Sequence, residues 1–195
     1  VISISKEFAN RRNSAGFWGL SYMAQAYAML YDLDDARQSV KIADEIISSL
    51  KQSPHWAVFG EAWQSMSDRT HGLLLDAEGN HREAERRFRN AINLSEKVYE
   101  KARTTRSKSR YATAQSSALN HWSVSEAMLA RSLLLQGKVV EAEYFARSSL
   151  IHQLQASGRY SHYTALAIKV LAAVLYESGR FSEAESLARE AIVSF

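Results

Sequence analysis

The sequence predicts an all-α protein, and three observations predict it. One proline and eight glycines are spread over 195 residues, too few to punctuate an all-β sandwich every ~8–12 residues. Alanine, with 28 copies, is the commonest residue and the strongest helix former. A pattern of small residue, large residue, turn and alanine also recurs along the chain at spacings that place its members on one helical face.

The recurrence is clearest between Leu129–Ser149 (LARSLLLQGKVVEAEYFARSS) and Leu171–Ala191 (LAAVLYESGRFSEAESLAREA), where Gly137 and Gly179 lie 42 residues apart. Gly72–Ala91 (GLLLDAEGNHREAERRFRNA) is a third copy, and Met23–Ala43 is a degenerate fourth in which Tyr31 replaces the turn glycine. Each copy reads as two helices. A small residue (Ala24, Gly72, Ala130, Ala172) is followed three later by a larger one (Tyr27, Leu75, Leu133, Leu175). The turn comes next (Tyr31, Gly79, Gly137, Gly179), and five beyond it an alanine (Ala36, Ala84, Ala142, Ala184).

Taken in order, the first pair spans 15–31 and 34–51. The second spans 55–77 and 81–102; Pro54 suits the first turn of a helix and marks the joint before it. The third spans 115–136 and 139–156. The fourth spans 161–178 and 181–195, with Ser182 and Glu185 as a capping box for its second helix. Between the second and third pairs a basic, Ser/Thr-rich run, 100–117, reads either as a loop or as extensions of the flanking helices. The four pairs form one array over 1–195. The start at Val1 and the end at Phe195, inside a helix, lead to the expectation of a fragment of a longer polypeptide.

The small–large–turn–alanine–aromatic–alanine pattern resembles the tetratricopeptide repeat (TPR) family, in particular its subclass of about 42 residues per repeat, found in kinesin light chains and in sensor regions of large bacterial regulators. The resemblance implies about four repeats stacked as a right-handed superhelical α-solenoid, with a concave groove lined by the first helix of each pair. The proline that commonly ends the second helix in that family is absent. In the family's register the groove residues include Gln25, Arg69, Leu73, Asp76, Arg131, Leu134, Lys169 and Tyr176, and Trp18, near the start of a first helix, is an aromatic candidate to line the same groove. Arg69, Arg131 and Lys169 would make a basic stripe able to hold acidic side chains through charge-assisted hydrogen bonds. The lysine–asparagine clamp of chaperone-binding members is not reproduced, since Ser21 and Gln25 stand there.

Chemistry is sparse. Without cysteine there is no disulfide, thiolate nucleophile or cysteine-ligated metal, which fits a reducing, cytoplasmic setting. No HExxH, GxSxG, P-loop or GxGxxG motif occurs, so no enzyme activity, metal or cofactor is expected. The recurring acidic pairs Glu141/Glu143 and Glu183/Glu185 suit helix N-termini, not acid–base catalysis. Val1–Asn10 has no secretory pattern, and the best apolar stretch, Tyr163–Tyr176, is short and contains Lys169, so no membrane span is expected.

The net charge of +3 is local. Residues 82–110 hold ten basic and four acidic side chains, a balance of +6. A basic patch of Arg82, Arg86, Arg89, Lys101, Arg103, Arg106, Lys108 and Arg110 follows. A solvated helix face with a linker is the favoured reading over an acidic protein partner or nucleic acid, because no aromatic–basic interleaving accompanies the charges. The expected function is a non-catalytic scaffold or adaptor that binds a peptide, helix or partner domain in its groove. Alternatives are a sensory, regulatory region of a bacterial multidomain protein responding to a small ligand or its own effector domain, and nucleic-acid contact through 82–110. A poorly capped last pair would favour self-association.

Overall fold

The computed structural model describes residues 12–104 and 110–193. Among them are eight α-helices and no strand: α1 (Ser14–Met29), α2 (Leu33–Leu50), α3 (Trp56–Ala77), α4 (His81–Thr104), α5 (Arg110–Leu135), α6 (Val139–Ser157), α7 (His162–Glu177) and α8 (Phe181–Val193). The expected pairing is present. α1 packs on α2, α5 on α6 and α7 on α8, and the first helices of successive pairs also touch, α1 on α3 and α5 on α7. The largest displacement of a helix start is in α5, which begins at Arg110 and not at 115. The described parts of the 100–117 run are therefore extensions of the flanking helices.

One device closes every first helix. The second residue after the helix adopts positive φ: 60° at Tyr31, 82° at Gly79, 73° at Gly137 and 75° at Gly179. At all four sites the next residue donates its N–H to the carbonyl of the pattern's large residue. These bonds are Asp32 to Tyr27 (2.9 Å), Asn80 to Leu75 (2.8 Å), Lys138 to Leu133 (2.9 Å) and Arg180 to Leu175 (2.9 Å). The turn residue itself donates to the following carbonyl, as Gly137 does to Leu134 at 2.9 Å. This is the Schellman arrangement, which satisfies carbonyls orphaned at a helix end. The second helix starts at once: the pattern alanines Ala36, Ala84, Ala142 and Ala184 each donate to Asp32, Asn80, Lys138 and Arg180. That start removes the expected capping box. α8 begins at Phe181, so Ser182 lies inside its first turn, and Glu185 instead accepts from Arg189 at 2.7 Å.

The chain forms two compact units, residues 1–91 and 92–195, with α4 crossing the boundary. In the first unit Phe17, Leu20, Ala43, Ile46, Ile47, Trp63 and Met66 form the core, with Trp18 and Trp56 packed against it. Gly72 lets α3 approach α4: a Cβ there would lie 2.6 Å from the ring of the buried Phe88. In the second unit Leu129, Leu133, Ala142, Ala146, Val174 and Leu175 are fully buried. Trp122 lies tilted against His152 (centroids 4.5 Å apart) and meets Tyr99 edge-on. His121 and Trp122 sit well inside α5, whereas His162 and Tyr163 start α7. The α6–α7 corner turns at Gly158 (φ 72°, ψ −171°), a conformation nearly restricted to glycine, and Thr164 Oγ1 donates to the Gly158 carbonyl at 2.6 Å.

Tyr31 is the one described non-glycine residue at positive φ, and its side chain is 64% exposed. A side chain in that region costs ~1–2 kcal/mol, partly offset by the extra unfolded-state freedom that glycine brings. Tyr31→Gly is therefore expected to stabilise the chain by about 0.5–1 kcal/mol, measured as a rise in the urea midpoint; a fall would contradict it.

Candidate functional site

Two buried carboxylates hold the inner pairs together. Asp68 of α3, 1% exposed, accepts from Arg87 Nη1 at 2.9 Å and Asn90 Nδ2 at 2.5 Å on α4. Glu126 of α5, 3% exposed, accepts from Ser148 Oγ at 2.8 Å and His152 Nδ1 at 2.9 Å on α6. Both acids lie eleven residues before the turn glycine, and both reach a polar partner 22 residues on. The same register in the outer pairs holds Leu20 and Ile168, both buried. A buried charge is tolerated only when paired and hydrogen-bonded, and these are. Their saturation by helix partners assigns them to architecture. Sequence reasoning did not single them out, although the repeated 22-residue spacing was available.

A second polar seam joins α5 and α6. Ser123 Oγ donates to Gln153 Oε1 (2.8 Å), Gln153 Nε2 to Asn120 Oδ1 (2.6 Å), and Ser149 Oγ to the Ser123 carbonyl (2.8 Å). In the first unit Ser65 Oγ donates to the Ala91 carbonyl (2.9 Å).

The expected groove residues do not share one environment. Gln25, Arg69, Leu73 and Asp76 are buried. Gln25 Nε2 donates to Thr70 Oγ1 at 2.9 Å, and His81 donates from Nδ1 to Asp76 at 2.7 Å. Arg69, 2% exposed, points Nη2 at the Met66 sulfur at 2.8 Å. It is therefore enclosed and is not the solvent-facing end of a basic stripe. Trp18, Arg131 and Leu134 are half-buried, and Lys169 and Tyr176 are exposed. The open members of the set thus belong to the last pair.

The basic segment is largely paired within its own helix. Arg86 pairs with Glu83, Arg89 with Glu85 (2.9 Å) and Arg103 with Glu100 (2.8 Å). The Arg86 hydrogen bond holds the Glu83 carboxyl below its ordinary range. Arg82 and Lys101 are exposed on α4. Arg106 and Lys108 lie outside the described residues, and Arg110 opens α5.

On the last pair, α7 and α8 enclose a groove of about 530 Å³ lined by His162, Ala165, Leu166, Lys169, Ala172, Ala188, Ala191 and Ile192. Its lining is apolar apart from His162 and Lys169. Tyr176 and Phe181, each 60% exposed, meet edge-on at 5.2 Å at the turn end of the same two helices. Arg180 anchors this pair. Its Nη1 donates to Glu143 of α6 at 2.6 Å and its Nη2 to Glu183 of α8 at 2.6 Å, and these bonds raise its already high pKa. Among the described residues no group of three or more histidines and carboxylates is placed to hold a metal, and no helix is long and apolar enough to cross a membrane.

Hydrogen bonds from Arg147 and then Arg180 hold the Glu143 carboxyl below its ordinary value of 4.5. In the unfolded chain that value returns, so below about pH 4.5 the unfolded state binds the extra proton and the stabilisation is lost as pH falls. The urea-midpoint gap between wild type and Glu143→Gln should be widest at pH 6–7 and shrink towards pH 3.5. A pH-independent gap would show that the pairing does not stabilise the fold.

Residues 164–194, nearly all of α7 and α8, match the model of a family described as tetratricopeptide repeat. A search of curated proteins finds no match.

Proposed function

We propose that the chain, whose residues 164–194 match a tetratricopeptide repeat model and whose helices pack in consecutive pairs, is a scaffold or adaptor like the members of that family in general, with its binding surface on the open part of the last helix pair. The observation that carries this is the solvent-exposed group on the last pair: Lys169, Tyr176 and Phe181 beside an apolar groove. Aromatic side chains dominate binding hot spots, and the lysine favours an acidic partner. The partner would be a peptide, a helix or a domain lying in the concave groove that such arrays form, in a cytoplasmic setting. Arg131 and Leu134, half-buried on α5, extend the same register.

A double variant, Tyr176→Ala with Phe181→Ala, tests this without touching a buried residue. Partner capture by the full chain, compared by quantitative mass spectrometry, should fall at least tenfold for specific partners. An unchanged partner list would reject the surface.

One observation favours a second reading, a small-ligand sensory region of a bacterial regulator. The α7–α8 groove has the volume of a small-molecule site, ~300–1,000 Å³, and it is mostly apolar. On that reading a metabolite panel gives a thermal upshift that Ala172→Trp removes; no upshift across the panel would exclude it. Nucleic-acid contact through 82–110 is weaker, because Arg86, Arg87, Arg89 and Arg103 already have carboxylate partners.

A further inference from the structure

The second helices of the four pairs share an outward stripe, made by the residues three, seven, ten, fourteen and seventeen places after the corner. Those spacings alternate between four and three, which sets the side chains in one line along a helix. In α2 they are Asp34, Gln38, Lys41, Glu45 and Ser48, in α4 Arg82, Arg86, Arg89, Asn93 and Glu96, and in α8 they begin Ser182, Ser186 and Arg189. All of these are exposed except Arg89, which is half-buried. The stripe is polar in those three helices, and it faces water. In α6 the same places hold Val140, Tyr144, Arg147, Ile151 and Leu154. The four apolar members are 88%, 67%, 56% and 44% exposed.

α6 lies inside the chain and packs on α5 and α7 through its other faces. The growth of the array by further pairs leaves this stripe open, as the polar stripes of its sister helices show, so the apolar residues are not a bed for a following pair. A contiguous exposed apolar stripe marks a contact surface. Its one charge is already answered: Glu143, one turn earlier, pairs with Arg147 at 2.7 Å. The flanking positions that select a charged partner in paired helices hold Ser148, Leu150, Gln155 and Ser157 over most of the length. The stripe therefore asks for apolar side chains at its own spacing and for no countercharge, and α6 itself supplies them. We propose that the stripe joins two copies of this chain, with α6 antiparallel to α6 of the second copy about a two-fold axis. Tyr144 then packs on Leu154 of the second copy, and the aliphatic stem of Arg147 on its Ile151, each contact occurring twice. Val140 meets Gly158 of the second copy, where space for a side chain is open. No like charges meet, since Glu141 and Glu143 stand opposite Ser157 and Gln155. The stripe is about 21 Å long and covers less than the ~800 Å² per partner of a standard interface, so the dimer is weak and depends on concentration.

The test is sedimentation equilibrium of the full chain from ~1 to ~300 µM, the range in which a contact below standard size assembles. The mean mass should rise from that of one chain towards that of two. Tyr144→Glu and Leu154→Lys, each at an exposed position, should each weaken association at least tenfold while the urea midpoint stays at the wild-type value. The double variant should recover association to within about threefold of wild type, because each glutamate then meets a lysine of the second copy. Ten residues apart on one helix, the two cannot pair within a chain. Val58→Glu, at a 71% exposed position on α3, is the control and should associate like wild type. The proposal is overturned if the chain stays single over the whole range, if either single variant associates like wild type, or if the double variant stays dissociated. It is also overturned if Lys169→Glu dissociates the dimer and Tyr144→Glu does not, because the last pair then carries the contact. None of these outcomes depends on Tyr176 or Phe181, so the partner-capture result stands or falls separately.

Discussion

Everything else in this chain depends on the left-handed residue that ends each first helix. It lets two successive N–H groups fold back onto the carbonyls of the preceding turn. The residue after it both donates to that turn and offers its own carbonyl to the alanine that opens the next helix. Two helices are thereby joined through a fixed corner. The alanine that follows is buried at all four sites, which allows close approach of the paired helices. A glycine supplies this conformation without strain at three corners and Tyr31 supplies it at the first, so the corner is specified by backbone geometry more than by residue type.

With the corners set, the interior is free to vary in chemistry. The register position that holds Leu20 in the first pair and Ile168 in the last holds Asp68 and Glu126 in the two between. Apolar residues there require only burial. The acids require donors on the partner helix, and each finds one 22 residues on. Removing one member of such a set strands a buried charge, at a cost of roughly 3–5 kcal/mol. Polar seams of this kind contribute specificity of pairing, because a slipped helix would lose its donors while an all-alanine interface would not register the slip.

The corners and helices were legible in the sequence because they repeat. The glycine, the alanine and their spacings carry the same message three or four times, and Tyr31 is readable as a corner only because Gly79, Gly137 and Gly179 occupy its place elsewhere. Burial of polar side chains was not legible in the same way. Gln25 and Arg69 fall at positions that would face a groove, and nothing local separates a solvated arginine from one enclosed beside a methionine sulfur. Partners decide that, and partners lie far off in sequence: Gln25 bonds to Thr70, 45 residues on. The capping box failed for a related reason. Ser182 and Glu185 have the right spacing, but the corner at Gly179 and Arg180 starts the helix earlier and leaves the serine inside it.

The same logic sets the last pair apart from the others. The register ten residues before the corner holds Ser21, Arg69, Ala127 and Lys169, four chemistries that one fold accepts, so the corners and alanines do not select it. Whatever covers that position selects it. The first three are buried, and their differences are absorbed inside the protein. Lys169 alone among them is exposed, beside an apolar bed whose counterpart one repeat earlier is sealed by a helix. A lysine in the sealed position would need a carboxylate from its covering helix, whereas the alanine at 127 needs none. At this point of the register the third pair holds an alanine sealed by the chain's own next helix, and the last pair holds an exposed lysine.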